Sequence, residues 1–67
     1  MAFKKLDDID LINEAYYLVK GENLSRDGYV VAQAQSIYQN GKYISGLVVY
    51  EKKTLNNIDI EGIMKLK

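Results

Sequence analysis

The segment DDIDLINEAYYLVK, residues 7–20, is the stretch on which the fold class turns. Ile9, Ile12, Tyr16 and Val19 recur at three- and four-residue intervals with Ala15 beside them, and this spacing predicts an amphipathic helix. Asp7 suits the N-cap, because its carboxylate can accept an orphan backbone N–H of the first turn. With Asp7 as cap, Leu6 and Leu11 take the two positions of a hydrophobic staple. Asp8 and Asp10 match the positive end of the helix dipole, and Lys20 the negative end. Gly21 then stands at C′, where a left-handed residue ends a helix. Leu11 and Leu18 widen the apolar arc, so such a helix wants contact on more than one side.

Outward from this segment, GENLSRDG at 21–28 is a loop whose Asp27-Gly28 is turn chemistry. YVVAQAQSIY at 29–38 and YISGLVVY at 43–50 are rich in β-branched and aromatic residues. Between them lies Asn40-Gly41, the pair best able to take positive φ at both centres of a type I′ turn. A two-residue turn sets Gln39 opposite Lys42, Tyr38 opposite Tyr43 and Ile37 opposite Ile44. Tyr38–Tyr43 is then the first non-hydrogen-bonded pair, where an aromatic couple adds roughly 0.2–1 kcal/mol over alanines.

In the tail, residues 57–67, Ile58, Ile60, Met64 and Leu66 alternate with Asp59, Glu61, Lys65 and Lys67, and Gly62-Ile63 interrupts them. A helical alternative collects Leu55, Ile58, Ile63 and Leu66 behind a Thr54 cap, but it sets Asp59 and Gly62 on its apolar face. A third antiparallel strand, bulged near Gly62, is the preferred reading. The expected fold is therefore α+β: one domain, residues 1–67, with an N-terminal helix packed on a three-stranded antiparallel meander.

The hairpin has two faces. Val30, Ala32, Ala34, Ser36 and Tyr38 share one with Tyr43, Ser45, Leu47, Val49 and Glu51. Its small central residues leave a trough for a helix, so it is assigned to the core. Tyr29, Val31, Gln33, Gln35 and Ile37 share the other with Ile44, Gly46, Val48 and Tyr50. Both faces are more apolar than a solvated face should be, and one helix covers only one. The uncovered face is expected to meet a second copy or another protein, with Tyr29, Gln33, Gln35, Ile37, Ile44, Val48 and Tyr50 as contacts.

Composition narrows the function. A chain of 67 residues buries only about 60% of its unfolded surface and usually needs a staple. With no cysteine and no histidine, disulfides, thiolate sites and imidazole chemistry are out, and association with another chain or an unusually good core remains. Nine basic and nine acidic residues cancel, with a net of −2 over residues 1–27 and +2 over residues 28–67. Such a balance lacks the basic stripe of a dedicated nucleic-acid binder. No apolar run approaches the ~20 residues of a membrane span, and Lys4-Lys5 lead into aspartates rather than a signal-peptide core. A soluble cytoplasmic protein without membrane partners is expected.

Asp7, Asp8, Asp10 and Glu14 form the densest charged cluster. They suit a helix start better than a cation site, since Asn13 stands where a calcium loop requires glycine. No phosphate-binding glycine loop is present, and Ser25, Ser36 and Ser45 have no histidine to activate them. The expectation is a non-enzymatic protein with no metal and no cofactor. In size and composition the chain is similar to many small inhibitors and regulators encoded by phages and mobile elements, a likeness that transfers no site. The expected function is a self-associating protein-binding module. The alternative is a small nucleic-acid-binding regulator, in which Tyr38 and Tyr43 stack bases and Lys42, Lys52 and Lys53 contact phosphates.

Overall fold

The computed structural model describes residues 3–50 and 53–66, and they form strands with no α-helix among them. The strands are β1 (Tyr16–Lys20), β2 (Tyr29–Gln39), β3 (Lys42–Val49), β4 (Lys53–Thr54) and β5 (Gly62–Lys65). Single 3-10 turns occupy Leu6–Asp8 and Asn57–Asp59. The five strands make one antiparallel sheet in the order β4-β3-β2-β1-β5. Glu51, Lys52 and Lys67, which the sequence places on the hairpin face and in the tail, lie outside the described residues.

The α+β expectation fails first at residues 7–20. Only Leu6–Asp8 coils, for one turn, and the residue in its cap position is Lys5, not Asp7. The backbone is extended again at Ile9, so the Leu6–Leu11 staple has no helix to brace. Glu14 has φ of 73°, a left-handed conformation that no helix interior accepts. Beyond it YYLVK alternates: Tyr17 and Val19 are fully buried, while Tyr16 and Lys20 face outward. Ile12 and Tyr16, two members of the supposed helical stripe, are 52% and 54% exposed.

Tertiary pairing explains the outcome. β1 sits between β2 and β5, with Tyr17 opposite Ala32 on one side and Val19 opposite Ile63 on the other. Both edges of its backbone are thereby satisfied, as a buried strand requires. The preceding segment is hooked to β2 as well: Glu14 N–H donates to the Ala34 carbonyl at 2.7 Å, and Ala34 N–H to the Ala15 carbonyl at 2.9 Å.

The hairpin forms as its turn demands. Asn40 and Gly41 have φ of 55° and 80°, and the ladder runs from Gln39↔Lys42 through Tyr38↔Tyr43 to Gln33↔Val48. The rings of Tyr38 and Tyr43 meet edge-to-face, 5.0 Å between centroids at 66°.

The tail supplies a strand, but not the third strand of a meander. β4 pairs briefly with β3 at Val48 and Val49. The chain then passes through the Asn57–Asp59 turn, where Asn56 Oδ1 accepts the Ile58 N–H at 3.2 Å. It crosses to the opposite edge of the sheet, where β5 joins β1. The helical alternative for the tail is absent too, and its Ile58 is 86% exposed. Gly62 makes no bulge. It lies buried in the β1–β5 ladder, close beneath the Phe3 side chain. On the far side of β5, Lys4 and Ile63 exchange both backbone hydrogen bonds at 2.9 Å.

Side chains from the loops, rather than a helix, cover the core face of the sheet. The core is Tyr17, Val19, Ala32, Ala34, Leu47 and Ile63, drawn from β1, β2, β3 and β5. Ala32, Ala34 and Leu47 belong to the hairpin face that the sequence assigns to the core. Leu6, Ile9, Leu11, Leu24, Leu55 and Ile60 pack against the cluster from the loops. Tyr17, the largest fully buried side chain, stands opposite small Ala32, so the volumes balance. Its hydroxyl accepts the Ile12 N–H at 2.8 Å, which ties the 9–15 loop to the core.

The β1–β2 loop is held by Ser25 and Asp27. Ser25 Oγ donates to Asp27 Oδ1 at 2.7 Å, and Tyr29 N–H donates to the same carboxylate at 3.2 Å. These hydrogen bonds, the Ser25 hydroxyl first, hold the Asp27 carboxyl below its ordinary 3.8. A carboxyl with a depressed folded pKa stabilises the fold above its unfolded value, and that contribution is lost as pH falls through the folded value. Ser25→Ala is therefore expected to raise the Asp27 pKa toward 3.8, read by NMR titration of its carboxyl carbon. An unmoved titration would leave the Tyr29 amide as the group responsible.

Candidate functional site

Two exposed regions of the sheet carry the side chains that the sequence singles out. The first is the convex face, opposite the core. Its strand-alternating set includes Tyr16 of β1, Val31, Gln33 and Gln35 of β2, and Val48 of β3, with Tyr50 just beyond β3. These six residues, together with Val49, line a shallow groove of about 400 Å³. Val31 is half exposed, and Tyr50 is 91% exposed.

The polar centre of this groove is organised. Gln35 Nε2 donates to Gln33 Oε1 at 3.0 Å, and Gln33 Nε2 donates to the Glu14 carbonyl at 3.0 Å. The left-handed turn at Glu14 is what places that carbonyl within reach. Two glutamines that would otherwise hold water are thus partly occupied with each other and with the backbone. The result is a flat polar spine between apolar flanks, with its amide groups partly satisfied before any partner arrives.

Of the seven predicted contacts, Gln33, Gln35, Val48 and Tyr50 come together in this groove. Ile37 and Ile44 lie on the same face but further along the hairpin, in a second groove beside the outer edge of β3. Tyr29 sits at the other end of β2, its ring 6.0 Å from that of Phe3, and does not join either groove. Tyr16 belongs to the groove as well, although its spacing with Ile9, Ile12 and Val19 predicts a helix. The signal for it was the alternation in YYLVK, which puts Tyr16 on the face opposite Tyr17 and Val19.

The second region is the hairpin tip, on the concave-side surface beyond the core. Tyr38 and Tyr43 are exposed there as an edge-to-face pair, with Lys42 next to them at the turn. Lys53 is elsewhere: it pairs with Val49, six residues from Tyr43 along β3, on the order of 20 Å away. Lys52 lies outside the described residues. The proposed phosphate contacts thus contribute one lysine beside the tyrosines.

Among the described residues, no three acidic side chains come together to hold a metal ion. The Asp7–Asp8–Asp10–Glu14 cluster is spread along a 3-10 turn and an extended loop instead of one helix end. No described helix is long and apolar enough to cross a membrane. No family model, curated protein or solved structure matches the chain.

Proposed function

We propose that this chain is a small non-enzymatic protein-binding module that self-associates through the convex face of its sheet. The reading is carried by one observation: Tyr16, Val31 and Tyr50 stand exposed together around a glutamine pair whose amides are already partly engaged. Aromatic side chains with low rotamer entropy, set around a preorganised polar centre, are the kind of group that dominates interface energy.

Tyr50→Arg is the test. The side chain contributes almost nothing to the fold, being 91% exposed, so the unfolding midpoint should stay where it is. Association, followed by light scattering over a concentration series, should weaken by roughly tenfold or more, about 1.4 kcal/mol. An assembly unaffected by the arginine would mean that another surface makes the contact. A wild-type chain that stays monomeric at high micromolar concentration would remove the self-association itself.

A further inference from the structure

The outer edge of β3 is open over most of its length. β4 covers only Val48 and Val49, and Leu55 N–H takes the Leu47 carbonyl at 2.8 Å. Among the described residues no strand pairs with this edge between Lys42 and Gly46. The direction of its free groups follows from the ladder. Leu47 points its carbonyl outward, and backbone groups alternate with period two, so Tyr43 and Ser45 also turn N–H and C=O away from β2. Four backbone hydrogen-bonding groups stand in a row with no partner strand.

The usual guards against edge pairing are missing here. Residues 42–47, KYISGL, contain one charge, no proline and no bulge. At the other end of the sheet, by contrast, β5 has its outer edge engaged by Lys4. The tip of the β2–β3 hairpin is also a bare two-stranded ribbon beyond the core, a form with little stability of its own.

We propose that this edge is the seam along which a second copy of the chain pairs, antiparallel, so that one sheet runs through both copies. The proposal rests on the reading that the chain self-associates, and it adds a second contact, along the sheet edge, to the one made by the convex face. Three features fit a second copy. The free slot is five residues long, closed by the turn at one end and by Leu55 at the other, and the identical segment of a second copy is the same length. With the twofold axis at Ile44, Tyr43 faces Ser45 of the second copy and Ser45 faces its Tyr43, so all four free groups find partners in two closely bonded pairs. In that register Lys42 faces Gly46 of the second copy, and no like charges meet. Ile44 meets its own counterpart over a groove of about 380 Å³ that Ile37, Gly46 and Thr54 help to line.

Ser45→Pro tests the seam. The lost N–H points outward, so the β2–β3 ladder keeps its hydrogen bonds while the seam loses one donor from each copy. Self-association measured by sedimentation should weaken at least tenfold with the fold retained. A second measurement does not depend on that variant folding. Tyr43→Cys and Ser45→Cys chains, mixed and mildly oxidised, should cross-link to each other more than either does alone, in a protein otherwise free of cysteine. Both side chains lie on the side of the hairpin away from the convex groove, so contact through that groove alone would not join them. No cross-link, with Ser45→Pro associating like wild type and Tyr50→Arg failing to, overturns the seam and leaves the convex-face reading standing. A wild-type monomer at all concentrations removes both.

Discussion

Tyr17→Ala should unfold the domain. Removing a buried aromatic side chain costs about 3–5 kcal/mol, and a domain of this length has only about 3–10 kcal/mol in total. Tyr17 is the largest of the fully buried side chains. It stands in the register between Ala32 and Lys65, so neither strand neighbour offers a bulky apolar group to refill the site. Its hydroxyl also holds the 9–15 loop through the Ile12 amide. Tyr17→Phe separates the two contributions: the ring stays, and the cost should drop to about 1–3 kcal/mol for the orphaned amide. Urea unfolding followed by circular dichroism reads both. A cooperative transition for Tyr17→Ala with an unshifted midpoint would show that the core lies elsewhere.

The second large effect is expected from Gly21→Ala. Gly21 is buried where the end of β1 passes under the Asn57–Asp59 turn, and a Cβ there would overlap the Asp59 carbonyl oxygen. Backbone meets backbone, so no side-chain rotation relieves the clash. The turn would have to lift, and with it the Glu61 N–H to Lys20 carbonyl hydrogen bond of 2.8 Å that starts the β1–β5 ladder. Overpacking of this kind costs about 1–3 kcal/mol, and the loss of that hydrogen bond adds about 1 kcal/mol. Gly41→Ala is the contrast. Its φ of 80° penalises alanine by about 1–2 kcal/mol, but nothing lies within 4 Å of the new methyl group. If Gly21→Ala proves no worse than Gly41→Ala, the close passage of the 57–59 turn is not a constraint on the fold.

The contrast between these two glycines also shows what the chain reveals about itself and what it conceals. The requirement at Gly41 is local. Asn40-Gly41 states its own turn type, and the turn then dictates the whole β2–β3 register. The requirement at Gly21 is imposed by Asp59, far along the chain, and no neighbouring residue announces it. The same division accounts for residues 7–20. Their spacing matches a helix, yet the alternation of Tyr17 and Val19 against Tyr16 and Lys20 is equally present and becomes decisive only when β2 and β5 close on both sides. Short apolar runs carry both periods at once, and the available partners choose between them. For the candidate site, the convex-face residues of β2 and β3 were readable because the turn fixes which side chains share a face. Tyr16 was not, because its face is set by pairing partners that the local sequence does not specify. The separation of Lys53 from the tyrosine pair was hidden for the same reason, since the path of the tail to the opposite edge of the sheet is a tertiary outcome.

That path bears on how the protein is made. The strands leave a ribosome in chain order, so β1 emerges long before the segment that will shield its far side. Until Ile63 appears, a nascent chain can zip the β2–β3 hairpin and dock it on β1, but Val19 remains uncovered along one flank. In this interval YYLVK presents an uncovered apolar strand edge, the kind of surface through which partly folded chains aggregate.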